Sequence, residues 1–278
     1  MSGAVRSELQ QRVLTAIALM AVLLGVLFVL PPLATMVLIA LAILGGAWEW
    51  SAFLHPHRRT VRIAYVCLIG LGLFVGWQMT REPEQLMTLM TVAFLWWCTA
   101  LAWVIGAPTR GGAATAAMAG VFSLIPCGLA LMALRQDTMM GAVILLFSLL
   151  VVLAADVAAY FAGHRWGRRK LAPQVSPGKT WEGVMGGVVG ALLVASLGAY
   201  GLGWPVWAVA PLAVLTAGFS IIGDLTESLM KRHTGLKDSG RLFPGHGGLL
   251  DRLDSLSAGL PIWVLGLSYL GLWAGVTE

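Results

Sequence analysis

The chain has 278 residues, 58% of them apolar and only 11% charged, with a mean hydropathy of +0.84. Soluble domains hold about 45–50% apolar and about 25% charged residues, so a soluble fold is excluded and residues 1–278 are expected to form a single polytopic membrane domain. The net charge of +5 does not point to nucleic acid, because basic residues beside anionic lipid headgroups account for it as topology determinants.

Apolar length read against polar breaks gives nine transmembrane helices, at 13–30, 33–54, 61–78, 85–106, 113–134, 138–163, 182–203, 205–223 and 255–274, hence an all-α fold. The first span follows Arg6 and Arg12, as a secretory signal would. It is too long for one, runs into Pro31-Pro32 and lacks a small-x-small cleavage pattern. With nine spans, every Lys and Arg except Arg81 and Arg135 falls on the side of the N-terminus, which places that side in the cytoplasm and the C-terminus outside. Cys67, Cys98 and Cys127 show no CxxC spacing and no nearby His, and read as small core residues.

The acids are more informative. Of the thirteen, Asp224, Glu227, Asp238, Asp251 and Asp254 fall in the stretch 224–254, and Glu49 and Asp156 lie inside apolar spans. All seven are expected to converge on one layer at the cytoplasmic face, where a lipid phosphate sits. A carboxylate in lipid is costly without a partner or ligand, so Asp156 reads as a substrate contact, the alternative being a structural pair with Arg or Lys on a neighbouring helix. Glu49, between Trp48 and Trp50, reads equally as part of the site or as an interfacial residue of an aromatic belt.

The sixth loop carries Ser176-Pro177-Gly178-Lys179-Thr180-Trp181-Glu182-Gly183. Gly-Lys-Thr is not a phosphate-binding P-loop here: Pro173 stands where the first Gly is required, and no strand is expected before it. Lys179 and Thr180 could instead hold phosphate at the start of the next helix, or Ser176 and Thr180 could be helix caps. Gly186 and Gly190 have the GxxxG spacing of close helix packing.

Beyond Gly223, a continuing helix would put Asp224, Glu227, Ser228 and Lys231 on one face, and Asp251 and Asp254 would form a second acidic face at the start of the last span. Carboxylate pairs on two helix ends make a cage for hard divalent cations. Between them stand Lys231, Arg232, Lys237 and Arg241, then Pro244-Gly245-His246-Gly247-Gly248, whose glycines allow the backbone to approach an anion. Carboxylates, cations and a glycine-rich turn together suit metal-assisted phosphoryl or nucleotidyl transfer.

The run Ser228-x-Met230-Lys231-Arg232, Lys237-Asp238, Gly240 and Phe243-Pro244-x-His246-Gly247-Gly248-Leu249-x-Asp251-Arg252-Leu253-Asp254 resembles the C-terminal pattern of the phosphatidate cytidylyltransferases. The likeness extends to Asp156-x-x-x-Tyr160-x-x-Gly163 and to the Ser176 to Gly183 run, with Gly178 standing where many relatives carry a second Lys. The resemblance divides the domain into variable N-terminal helices (1–137) and catalytic helices and loops (138–278). It implies a homodimeric, Mg²⁺-dependent enzyme of the inner membrane, with a second cation such as K⁺, that joins CTP and phosphatidic acid into CDP-diacylglycerol and pyrophosphate. It implies metal ligation by Asp224 and Asp251 with Glu227 beside them, and catalytic roles for Lys179, Lys237, His246 and Asp254. Substrate contacts are implied for Asp156, Ser176, Thr180, Lys231, Arg232, Arg252, Gly247 and Gly248.

Other functions fit less well. A transporter would place its acids at the midplane and, if built from inverted repeats, would show matching halves. A CDP-alcohol phosphotransferase would need a DGxxAR run, which is absent. A CTP-dependent lipid kinase shares the chemistry and differs in its product.

Overall fold

A computed structural model describes residues 18, 20–55, 57–106, 111–135, 139–235, 239–240 and 248–273. Apolar stretches fold as helices because lipid offers no partner for backbone N–H and C=O groups. Residues 20–28 are helical (α1), followed by α2 (Pro32–Trp50), α3 (Arg59–Met79), α4 (Pro83–Gly106), α5 (Ala113–Leu134), α6 (Met139–Trp166), α7 (Trp181–Gly201), α8 (Val206–Thr234) and α9 (Leu250–Tyr269).

The polytopic helical membrane fold stands, and its details differ from expectation in three ways. Among the described residues seven helices, α2 to α8, are long and apolar enough to cross a membrane, and the first of the nine expected spans, 13–30, falls partly outside the described residues. The last helix falls outside that set because Asp251, Arg252 and Asp254 crowd its start. The sixth loop is not all irregular: β1 (Lys170–Ala172) and β2 (Ser176–Thr180) pair as a short antiparallel hairpin, Lys170 opposite Thr180 and Ala172 opposite Ser176. The eighth helix does not stop at Gly223 but continues to Thr234, ending at Gly235 in the left-handed conformation (φ 72°). At 1.5 Å per residue its 29 residues span about 43 Å, more than a hydrocarbon core of about 30 Å, so its charged end projects beyond the apolar layer.

The polar-headed α9 lies, like α5, in the interior of the bundle. It packs on α2, α4, α5, α6 and α8, and Ser257 through Leu265 are all buried. A central helix has one end in common with all its neighbours, and this one begins with the acids. Beside it α6 and α7 form a close pair. A Cβ on Gly186 would lie 2.9 Å from the carbonyl oxygen of Ala158, and one on Gly190 2.6 Å from that of Ala154, so the GxxxG spacing is indeed a packing device. Leu71, Phe74, Leu95, Leu193 and Leu197 point outward, as lipid-facing residues do. Cys67 and Cys98 join them on the outer surface, and only Cys127 is a core residue, which corrects the reading of all three as core.

Candidate active site

The ends of α6, α8 and α9, the start of α7 and the hairpin enclose a cleft of about 700 Å³. Its floor is built of small residues, Ala155 and Ala159 of α6, Gly187 of α7 and Ala217 and Ser220 of α8. Its mouth carries Lys170, Ser176, Lys179 and Thr180 of the hairpin, with Asp224, Asp251, Arg252 and Asp254 across from them.

Each of these side chains is placed by local physics. At Gly223 the two helices approach so closely that a Cβ would run into the carbonyl oxygen of Asp254, and this brings Asp224 and Asp254 to the same cleft. Asp224 accepts a hydrogen bond from Ser228 Oγ at 3.2 Å and pairs with Lys179 Nζ at 2.7 Å, tying the hairpin to α8. Lys231 Nζ lies 2.7 Å from Glu227 Oε1, one helical turn away, and also donates to Asp251 Oδ1. The other oxygen of Asp251 accepts from the Gly248 amide at 2.6 Å. Asp156, deep on α6, accepts from Ser255 Oγ of α9 at 3.0 Å. Among the described residues its hydrogen-bond partner is thus a hydroxyl, not the Arg or Lys that a structural ion pair would supply.

The hairpin is anchored at both ends. Glu182, in the first turn of α7, accepts the backbone N–H groups of Arg168 and Arg169 at 3.0 and 3.2 Å. Thr180 caps α7 by accepting the N–H of Gly183 at 3.1 Å, which bears out its reading as a helix cap, whereas Ser176, read as the other cap, lies in β2. Arg232, at the end of α8, donates through Nε to the Val175 carbonyl in the hairpin turn at 3.3 Å.

The hairpin lysines therefore face Arg252 and the carboxylates of Asp224, Asp251 and Asp254 across one cleft that Asp156 also lines, a mixture of charges suited to binding phosphates. Comparison with known proteins agrees. Residues 10–270 match the model of the cytidylyltransferase family. The chain is 38% identical to the phosphatidate cytidylyltransferase of Haemophilus influenzae over 92% of its own length and 97% of that relative's. The Pseudomonas aeruginosa enzyme of that name is 37% identical over 92% and 95%, and the Brucella suis one 40% identical over 91% and 90%.

The chain belongs to the cytidylyltransferase family.

Within this family member the cleft gathers eight of the residues singled out in the sequence: Asp156, Ser176, Lys179, Thr180, Asp224, Asp251, Arg252 and Asp254. Lys237, His246 and Gly247, together with Asp238 and Arg241, lie outside the described residues. Four others do not line the cleft. Glu227 is buried outside the cleft lining and faces Lys231. Lys231 is occupied in bridging Glu227 and Asp251, Arg232 holds the hairpin turn, and Gly248 packs on Glu49. Glu49 is buried against the start of α9, at the level of Asp251, and does not line the cleft. Among the described residues no three carboxylate, imidazole or thiol groups close around a single point.

Four polar cleft residues escaped the sequence reading. His164 and Lys170 were hidden in a basic run that topology alone explained, and Ser220 and Ser255 in apolar spans. A signal existed for Ser255, which follows Asp254 directly, but nothing local to it says that α6 brings an acid alongside.

Proposed function

We propose that this chain is a phosphatidate cytidylyltransferase, which transfers the cytidylyl group of CTP to phosphatidic acid to give CDP-diacylglycerol and pyrophosphate. The observation that carries the reading is a single cleft with a small-residue floor among membrane helices and a rim of opposed lysines and aspartates. Such a cleft can take a lipid from the bilayer and a nucleotide from water. Near-full-length likeness to enzymes of that name supports it.

In the reaction a phosphate oxygen of phosphatidic acid attacks the α-phosphorus of CTP, a new P–O–P bond forms, and the bond from the α-phosphorus to the bridging oxygen of pyrophosphate breaks. The nucleophile is already anionic, so the protein's work is positioning and charge neutralisation. Lys179 and Lys170 on the hairpin and Arg252 on α9 face the triphosphate and the lipid phosphate, and Asp156 and Ser255 orient the lipid end. Mg²⁺ suits the donor set, because it is commonly held by one or two carboxylates and completes its shell with phosphate oxygens and water. Asp224 and Asp251 would hold it, with Asp254 beside them and Glu227 behind. Bound there, the ion would neutralise charge developing on the phosphates. A second cation such as K⁺, a homodimer, and an inner-membrane location with the N-terminus and the cleft on the cytoplasmic side complete the proposal; the one-sided distribution of Lys and Arg supports the orientation.

The test incubates purified protein in detergent with phosphatidic acid, CTP and Mg²⁺, and identifies the products by mass. CDP-diacylglycerol and pyrophosphate from the wild type, abolished by chelator and by Asp251→Asn, support the whole reading. Activity surviving in Asp251→Asn removes the metal assignment. A phosphorylated lipid with CDP as co-product would instead identify a lipid kinase.

A further inference from the structure

The N-terminal half of the chain contributes one acid that the site does not use directly. At the end of α2 the sequence Trp48-Glu49-Trp50 turns its residues in different directions: Trp48 is exposed beneath the Arg62 guanidinium at 4.0 Å, whereas Glu49 is buried. Glu49 Oε2 accepts the backbone N–H of Leu250 at 2.7 Å and the hydroxyl of Ser239 at 3.3 Å. A Cβ on either Gly240 or Gly248 would overlap the same carboxylate, so the chain on both sides of the glycine-rich stretch is pressed against it.

Leu250 opens α9, and the capping residue Leu249 offers no side-chain acceptor for the helix's first amides. Glu49 supplies that acceptor from another helix, with its charge at the positive end of α9. The seat is shaped to match. A Cβ on Gly45 would lie 2.8 Å from Leu249 Cδ2, and one on Gly46 3.0 Å from Leu253 Cδ1, so the glycine face of α2 admits the leucines that flank Asp251. Gly248, packed on Glu49, is the residue whose amide donates to Asp251 Oδ2.

We propose that Glu49 is a positioning residue: by capping α9 from α2 it sets the register of that helix's first turn, and so the placement of Asp251 in the cleft. The proposal rests on the reading above that Asp251 serves the reaction. It also makes α2 part of the catalytic machinery, although no residue of α2 lines the cleft.

The experiment uses the full chain in detergent with Glu49→Gln and Glu49→Ala. Gln keeps the shape and a carbonyl that accepts the Leu250 N–H without the charge, and Ala removes both. Steady-state kinetics with CTP, phosphatidic acid and Mg²⁺ are paired with hydrogen exchange over residues 248–256 and with thermal melting. The expected result is a graded fall in kcat, about tenfold for Gln and about a hundredfold for Ala, with both KM values within about threefold. Exchange at the start of α9 should rise in the same order while the remaining helices stay protected. Wild-type kcat in folded Glu49→Ala overturns the proposal, as does faster exchange without a change in kcat. If Glu49→Ala does not fold, Glu49→Gln decides: an unchanged kcat there overturns the proposal. A wild type that makes no nucleotide-linked lipid overturns the functional reading instead, while the exchange data still report whether Glu49 holds α9.

Discussion

Helices α3 and α8 are both long and apolar enough to cross a membrane, yet only four of the 21 residues of α3 are buried and fourteen of the 29 of α8. Leu68, Leu71 and Phe74 of α3 face outward, while the fully buried positions of α8 include Thr216, Ser220 and Thr226. In water the inward face of a helix is the apolar one. In lipid both faces are apolar, and the inward face is marked by small and hydroxyl-bearing residues that allow close packing and internal hydrogen bonds. The contrast runs through both halves of the chain: α5 is as enclosed as α8, and α7 turns most of its surface outward like α3, while the cleft itself is formed by α6 to α9, with Glu49 tying α2 to the start of α9.

That contrast predicts an ordered set of mutational effects. The largest falls on α9: Asp251→Asn should lower CDP-diacylglycerol formation by about 10³-fold or more with the fold retained, measured as initial rate beside a melting curve. Next is the hairpin, where Lys179→Ala frees Asp224 and removes a phosphate contact; kcat/KM for CTP should fall about a hundredfold, close to 2.7 kcal/mol. If Lys179→Ala is active at the wild-type rate, the hairpin is a structural connection and the cleft ends at α8. At the α6–α7 seam Gly190→Leu has no room against Ala154, and should cost about 1–3 kcal/mol of stability in a detergent melt, with activity lost only as fold is lost. The smallest effect belongs to the lipid-facing side: Phe74→Ala should change stability by no more than about 0.5 kcal/mol and leave kcat unaltered. A large loss of activity there would break the division between lipid-facing surface and cleft.

Much of this was legible in the chain. The apolar spans, the GxxxG seam and the two acidic faces at 224–228 and 251–254 depend on helical periodicity, which is local. Asp224, Glu227 and Lys231 keep their i, i+3 and i, i+4 relations because α8 runs on past Gly223. The hairpin was not legible, since Pro173, Pro177 and Gly178 punctuate a strand pair of only a few residues, and its pairing depends on Glu182 and Arg232 gripping it from two helices. Nor was the depth of Glu227, because the same i, i+3 spacing suits a ligand and a carboxylate turned toward a lysine.

What the sequence determined by itself was the solvent and the chemistry: composition demands a bilayer, and the clustered acids, lysines and glycines demand phosphate. Only the tertiary structure decided which of those groups meet. Glu49 and Leu250 are separated by 201 positions, and Asp156 and Ser255 by 99. Periodicity reports which residues share one helix face. Which helices then lie side by side is settled by packing, through the glycines at 45, 46 and 223 that let α2 and α8 come close to α9, and local pattern carries no record of that choice.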